Sequence, residues 1–253
     1  MKSPVRKWGF HRCAGDDPPP SFGDMPSYLL RIGAVAGVLG AGAQLVAGWV
    51  ETDWGGTPAE AVARVASSTY FTGDRLLDLV GLFLTLMMLA VVASTLRGSD
   101  THGWAAVSEP LLALWGAVGA AAILVGAEMK DAADAWQQNS AGARTAYLAT
   151  FDITARATEA LFFGTFVALG LYLAVLAGAV LSDSPYPRPA GWAMIVISAL
   201  LIFGNLLSLV VESAFLIVLL GLVGFAGLLV TLAVVLWRRS SLSVPVPAAA
   251  HPL

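Results

Sequence analysis

Two short charged motifs stand at the start of long apolar stretches. Arg75-Leu-Leu-Asp78 precedes one stretch, and Asp152-Ile-Thr-Ala-Arg156-Ala-Thr-Glu159 precedes another. Side chains three or four residues apart share one face of a helix, so Arg75 can meet Asp78, and Arg156 can meet an acid on either side. A carboxyl group beside apolar walls can serve as a general acid. We therefore treat Asp78 and Glu159 as candidate catalytic residues.

Further carboxylates fall on the same predicted side of the chain, including Glu212 in a short turn between the last two apolar stretches. The predicted ligand-binding cluster consists of Arg75, Asp78, Asp152, Arg156, Glu159 and Glu212. Ionisable residues at membrane depth are costly to bury and often mark a functional site. Structural ion pairs are the alternative, and the sequence favours them, because each arginine has an acid within one helical turn.

The elements that must position these residues are membrane helices. Of 253 residues, 57% are hydrophobic and 12% are charged, whereas soluble chains carry about 25% charged residues. Apolar stretches of about 20 residues indicate spanning helices, since each backbone polar group in lipid must bond within its own segment. Six spans are predicted, at 28–50, 76–96, 110–128, 157–181, 190–211 and 215–236.

The chain is thus predicted to be all-α, a bundle of six membrane helices over residues 28–239. Residues 1–27 and 240–253 are predicted to be disordered cytoplasmic tails, because they are rich in proline and polar residues. With both termini inside, nine basic residues lie on the inner side and five on the outer side. That asymmetry is typical of a multi-pass protein of the plasma membrane with cytoplasmic termini.

Several classes of cofactor site are excluded by missing residues. All three histidines, His11, His102 and His251, lie outside the predicted spans, which argues against haem held between helices. No lysine lies within a span, and Cys13 is the only cysteine. The chain also has no phosphate-binding loop and no zinc-protease motif. We expect no cofactor and no metal, and the net charge of −3 argues against nucleic acid as a partner.

Two patterns bear on how the helices pack. Gly33, Gly37 and Ala41 are spaced four apart, which lets another helix approach closely. Arg75-x-x-Asp78 matches Arg156-x-x-Glu159 at an offset of 81 residues, which suggests a parallel internal repeat of a helical hairpin. Acids also gather at helix ends without any duplication, so that alternative stays open. No proline is expected inside a span, since Pro110 opens the third span and Pro189 precedes the fifth. The helices are therefore expected to be unbroken, which makes a transporter less favoured, because transporters often interrupt helices at the membrane midplane.

Residues 28–239 resemble a family of uncharacterised bacterial, mainly actinobacterial, six-helix integral membrane proteins classed as a domain of unknown function. The resemblance rests on the six spans, on Arg156-x-x-Glu159-Ala160 and on Pro187-Arg188-x-x-Gly191-Trp192. It implies a six-helix fold and a bacterial plasma membrane location. It implies no activity. The longer loops around Trp54 and Trp136 are departures from the family pattern.

Three functions are compatible with these observations. The first is a membrane protein without enzymatic activity that binds a lipid, a small apolar ligand or a helix of a partner membrane protein. The second is a membrane-embedded enzyme that acts on a lipid or isoprenoid, with Asp78 or Glu159 as the acid. The third is a small transporter.

Overall fold

The computed structural model of the chain describes residues 25–50, 57–96, 102–182 and 184–242. Every regular element in these ranges is helical: α1 Ser27–Val50, α2 Pro58–Ser67, α3 Phe71–Leu96, α4 His102–Gln138, α5 Ala141–Leu181, α6 Arg188–Ser208, a short 3-10 turn at Glu212–Ala214, and α7 Phe215–Leu242. All of the α-helices except α2 are long and apolar enough to cross a membrane. The predicted all-α bundle of six membrane helices is confirmed. The predictions for residues 1–24 and 243–253 lie outside the described ranges.

The six long helices form a ring in chain order, closed by α1 against α7. Trp115 of α4 meets Phe225 of α7 edge to face across the middle of the ring, with ring centroids 6.2 Å apart. Tyr172 of α5 is fully buried, and its hydroxyl donates to the Leu89 carbonyl of α3. At this level the interior is therefore a packed core and not an open channel.

Both ends of the described chain lie on the same side of the bundle, which we call the terminal side. Arg31 near the start of α1 donates from Nε to the Ser240 hydroxyl near the end of α7, over 3.3 Å. The α4–α5 turn at Asn139 and Ser140 lies on the other side, which we call the hairpin side.

Close approach of α1 and α3 depends on glycine, as the spacing of Gly33 and Gly37 predicts. A Cβ at Gly33 would lie 3.0 Å from Val91. The closest backbone approach is two turns further along, where a Cβ at Gly40 would lie 3.0 Å from the Thr85 backbone nitrogen and 3.1 Å from the Gly81 carbonyl oxygen. Dispersion contacts, and not hydrophobic transfer, hold helices together in lipid, so this proximity stabilises the pair.

Helices α4 and α5 continue well beyond the membrane on the hairpin side. They have 37 and 41 residues, or ~55 and ~61 Å at 1.5 Å per residue, against ~30 Å for the hydrocarbon core. The region around Trp136 is therefore helix, and α4 and α5 extend beyond the predicted spans 110–128 and 157–181. Arg144 closes the hairpin by donating to the carbonyls of Trp136 and Asn139, both over 3.1 Å.

The short helix α2 packs on this projecting hairpin. Its buried Val62 and Val65 contact an apolar cluster that includes Met129 of α4 and Phe151 of α5. Lys130 donates over 2.9 Å to the Ala66 carbonyl at the carboxyl end of α2, where a cation also favours the helix dipole.

A capping box begins α2. The Thr57 backbone N–H donates to a carboxylate oxygen of Glu60 over 2.8 Å, and the Glu60 N–H donates to the Thr57 hydroxyl. The hydrogen bond from the Thr57 backbone, followed by the one involving its side chain, lowers the pKa of Glu60. Residues 58–67 thus form a helix that was not predicted from the sequence.

One further prediction about the spans is wrong. Pro110 lies inside α4, because the helix and its apolar stretch begin before it, at His102 and Ala106 respectively. Proline removes one backbone hydrogen bond, and membrane helices tolerate this where neighbouring groups satisfy the released carbonyl. Pro189 likewise belongs to the first turn of α6, where its missing N–H costs nothing.

Candidate functional site

Among the members of the predicted cluster whose side chains the structure describes, Arg75 is the one that the bundle buries. It is 4% exposed, on the hairpin-side half of α3. Its guanidinium carbon lies 5.1 Å from the ring centre of Phe71 and 5.9 Å from that of Phe162, within the range of cation–π attraction. Gly126 of α4 provides the space, since a Cβ there would lie 3.2 Å from the guanidinium carbon. Arg75 of α3 therefore contacts residues of both α4 and α5.

Asp78 lies close to Arg75 on the inward face of α3. Arg75, Asp78 and Leu82 follow each other at the three- and four-residue spacing of one helix face, and Leu82 belongs to the core. Asp78 is only partly exposed, and its favourable charged neighbour is Arg75. Arg75 and Asp78 are thus close together, as predicted, and both lie on the inward face of α3.

The second motif has a different environment. Arg156 is 78% exposed and pairs with Asp152, with Nε 3.0 Å from a carboxylate oxygen, and Glu159 is exposed on the surface of α5. The buried face of α5 at this level presents Thr158, next to Gly126. The structure therefore brings Arg75 and Asp78 to the interior and leaves Asp152, Arg156 and Glu159 on the surface.

Two consequences follow for the sequence predictions. Arg75 and Arg156, which define the predicted repeat, occupy opposite environments, so the structure adds no support to a duplication. The main chain of Glu212 lies in the 3-10 turn before α7, and its side chain is outside what the structure describes. A ligand-binding or catalytic role for any member of the cluster stays a prediction.

A groove between α3 and α4 was not predicted from the sequence. It has a volume of about 580 Å³, and its lining is apolar apart from Glu109. Phe83, Met87 and Ala90 line it on α3, and Ala113 and Ala117 are among those that line it on α4; all five are exposed on the outer surface of the bundle. Because both helices cross the membrane here, the groove opens towards lipid.

Small side chains explain why the groove exists. Nearer the hairpin side, Leu82 and Leu86 fill the space above Gly119 and Gly116, where a Cβ would lie 3.2 and 2.8 Å from them. Towards the terminal side, the short side chains of Ala90 on α3 and Ala113 on α4 line the groove. On α4 the lining residues recur every three or four positions from Glu109 to Ala120, and this periodicity is the signal in the sequence that could have indicated the groove.

No group of three or more potential metal ligands is present among the residues that the structure describes. The chain matches no family model, and no similar curated protein or solved structure was found. The family resemblance and the bacterial origin therefore remain predictions from the sequence motifs.

Proposed function

We propose that this protein binds a lipid or a small apolar ligand, taken from the bilayer, in the groove between α3 and α4. The observation that carries the proposal is the groove itself, a concavity of about 580 Å³ at membrane depth. Ligand sites typically occupy ~300–1,000 Å³ and are mostly apolar with few polar groups. The lining residues fit that description.

The position of Glu109 defines the kind of ligand further. It lies at the terminal-side end of the groove, and apolar residues line the rest. A carboxylate accepts hydrogen bonds and attracts cations, but it offers nothing to a hydrocarbon chain. The groove therefore suits an amphipathic molecule that lies with its polar end near Glu109 and its apolar body along Ala113 and Ala117.

A helix of a partner membrane protein is the second candidate occupant. Ala113 and Ala117 are four residues apart on the exposed face of α4, and Gly116 and Ala120 repeat the spacing. Small residues at this spacing let two membrane helices approach closely.

Photo-cross-linking in cells separates these occupants. Phe83 lines the groove and is 57% exposed, whereas Phe203 is 68% exposed on α6 and does not line it. Each is replaced in turn by p-benzoylphenylalanine, which conserves an aromatic ring. We expect an adduct with one lipid or small-molecule species at position 83, and only a mixture of bulk lipids at position 203.

Other results at position 83 have distinct meanings. A protein adduct there would indicate that a helix of a partner protein, and not a small ligand, occupies the groove. The same bulk-lipid mixture at both positions would show that the groove is ordinary lipid-facing surface and would refute the proposal.

The location that we propose is a bacterial plasma membrane, with both termini in the cytoplasm. Charge distribution supports this orientation, because exposed Arg31, Arg188 and Arg238 lie on the terminal side while acids predominate on the hairpin side. A reporter fused to the carboxyl terminus tests it: phosphatase activity outside the cytoplasm would contradict the orientation.

A further inference from the structure

The terminal side of the bundle is rich in arginine. The described arginines on this side are Arg31, Arg188, Arg238 and Arg239. Glu109 is the one carboxylate among the described residues of this side. Arg239 donates to the Pro185 carbonyl, whereas Arg31, Arg188 and Arg238 are exposed. This end of the protein therefore attracts anions of the adjoining membrane surface.

Arg31 differs from the other exposed arginines because it is held in place. Its Nε donates to the Ser240 hydroxyl, and its guanidinium carbon lies 5.8 Å from the ring centre of Trp237. Ser240 is fully buried and donates in turn to the Trp237 carbonyl over 2.7 Å. The bond to Ser240 uses one of five guanidinium donors. Arg238 adjoins Trp237 on the exposed end of α7.

An apolar track leads from Arg31 into the membrane along the seam between α1 and α7. Because the two helices are antiparallel neighbours, positions at equal distance from the terminal side lie next to each other. The exposed residues that share a helix face with Arg31 are Val35, Val38 and Gly42 on α1, and those that share a face with Trp237 are Val234, Val230 and Gly227 on α7. At Gly42 and Gly227 a Cβ would meet nothing within 4 Å, so the track stays open at this depth.

We propose that this seam binds one anionic phospholipid, with its phosphate on Arg31 and Arg238 and an acyl chain along the track. Arginine is suited to phosphate because its planar guanidinium donates two parallel hydrogen bonds. Trp237, 50% exposed at the membrane–water boundary, suits the headgroup level. The site is at a different seam of the ring from the α3–α4 groove, with the α1–α3 contact between them, and it does not depend on the function proposed for the groove.

The experiment is a titration of the delipidated full-length protein with phosphatidylglycerol, followed by native mass spectrometry, with phosphatidylcholine as the neutral comparison. Arg31→Gln and Arg238→Gln each remove one arginine of the site. Arg188→Gln is the matched control, because it removes an exposed arginine of the terminal side that lies on α6, outside the seam. An arginine near a membrane surface contributes ~1 kcal/mol, so each site variant should bind the first phosphatidylglycerol about fivefold more weakly. The control should bind it as the wild type does.

Arg31→Gln also removes the hydrogen bond to Ser240, which stabilises the contact between α1 and α7. Gly42→Leu is therefore titrated with phosphatidylglycerol as a second variant. That change fills the track and leaves both arginines in place, so it should weaken phosphatidylglycerol binding. Equal weakening by Arg188→Gln would reduce the site to general surface charge and overturn the proposal. Unchanged binding in Arg238→Gln and Gly42→Leu would overturn it too. Competition by inorganic phosphate at the same concentration as the lipid would indicate an ion site and would refute the lipid assignment.

Discussion

Replacing Gly40 by alanine should destabilise the bundle, because this glycine is where α1 and α3 cross most closely. The added Cβ would lie 2.7 Å from the Thr85 hydroxyl oxygen, 3.0 Å from the Thr85 nitrogen and 3.1 Å from the Gly81 oxygen. Favourable contacts between heavy atoms lie near ~3.5–4.0 Å. Two of the three neighbours are backbone atoms, so relief requires the helices to separate. Overpacking of this kind costs about 1–3 kcal/mol.

The intrinsic preference of alanine for helices offsets ~0.5–1 kcal/mol of that cost, which leaves a net loss centred near ~1 kcal/mol. Gly42→Ala is the matched control on the same helix, since its Cβ would meet nothing within 4 Å. Unfolding is followed by circular dichroism as SDS is added to protein in mild detergent. Gly40→Ala should unfold at a lower SDS fraction, and Gly42→Ala at the same fraction as the wild type or a higher one. Equal stability of the two variants would refute the crossing geometry.

Three further predictions concern the charged residues. Arg75→Leu should lower the free energy of unfolding by about 2–4 kcal/mol, because it removes a buried cation–π contact that involves three helices. Replacing the exposed Arg156 by leucine should change the free energy of unfolding by at most ~0.5 kcal/mol. The same SDS titration checks both variants. Lys130→Met removes the hydrogen bond to Ala66 and the ion pair with Asp134, so limited proteolysis should cut α2 faster than in the wild type, and equal rates would contradict this. The pKa of Glu60 is lower in the folded state than in the unfolded state, where it is near 4.5. The stability that the ionised Glu60 adds to α2 is therefore complete above the unfolded pKa and is lost as the pH falls through the folded pKa. Hydrogen exchange in residues 57–67 should therefore show less protection at acid pH, and a Glu60→Gln variant with the same pH dependence would refute that assignment.

Hydropathy was enough to predict the six membrane helices, because a segment in lipid must satisfy its own backbone. It failed where helices leave the membrane. Lys130, Asp131 and Asp134 end the apolar stretch of α4, although the helix continues to Gln138 because α2 and α5 bury its other face. Helix α2 was missed because it is too short to span a membrane. Its Thr57-x-x-Glu60 capping box was visible in the sequence.

Spacing showed which charged residues share a helix face, but not which face turns inward. Arg75 and Asp78 lie together on the inward face, as their three-residue separation allows. Arg156 had acids on both sides, and the structure pairs it with Asp152 on the exposed surface. The periodicity of α4 marks the residues that line the α3–α4 groove on that helix. It does not show that α3 leaves a space beside them, because that depends on how the two helices pack.

Native mass spectrometry of the purified protein, with identification of whatever remains bound, tests the proposed ligand groove most directly. Ala117→Phe fills the groove, and Ala174→Phe places the same side chain on an exposed face of α5 outside it. We predict one stoichiometric lipid or small apolar molecule on the wild type and on Ala174→Phe, and its loss from Ala117→Phe. The same bound mass on all three proteins would contradict a ligand in this groove.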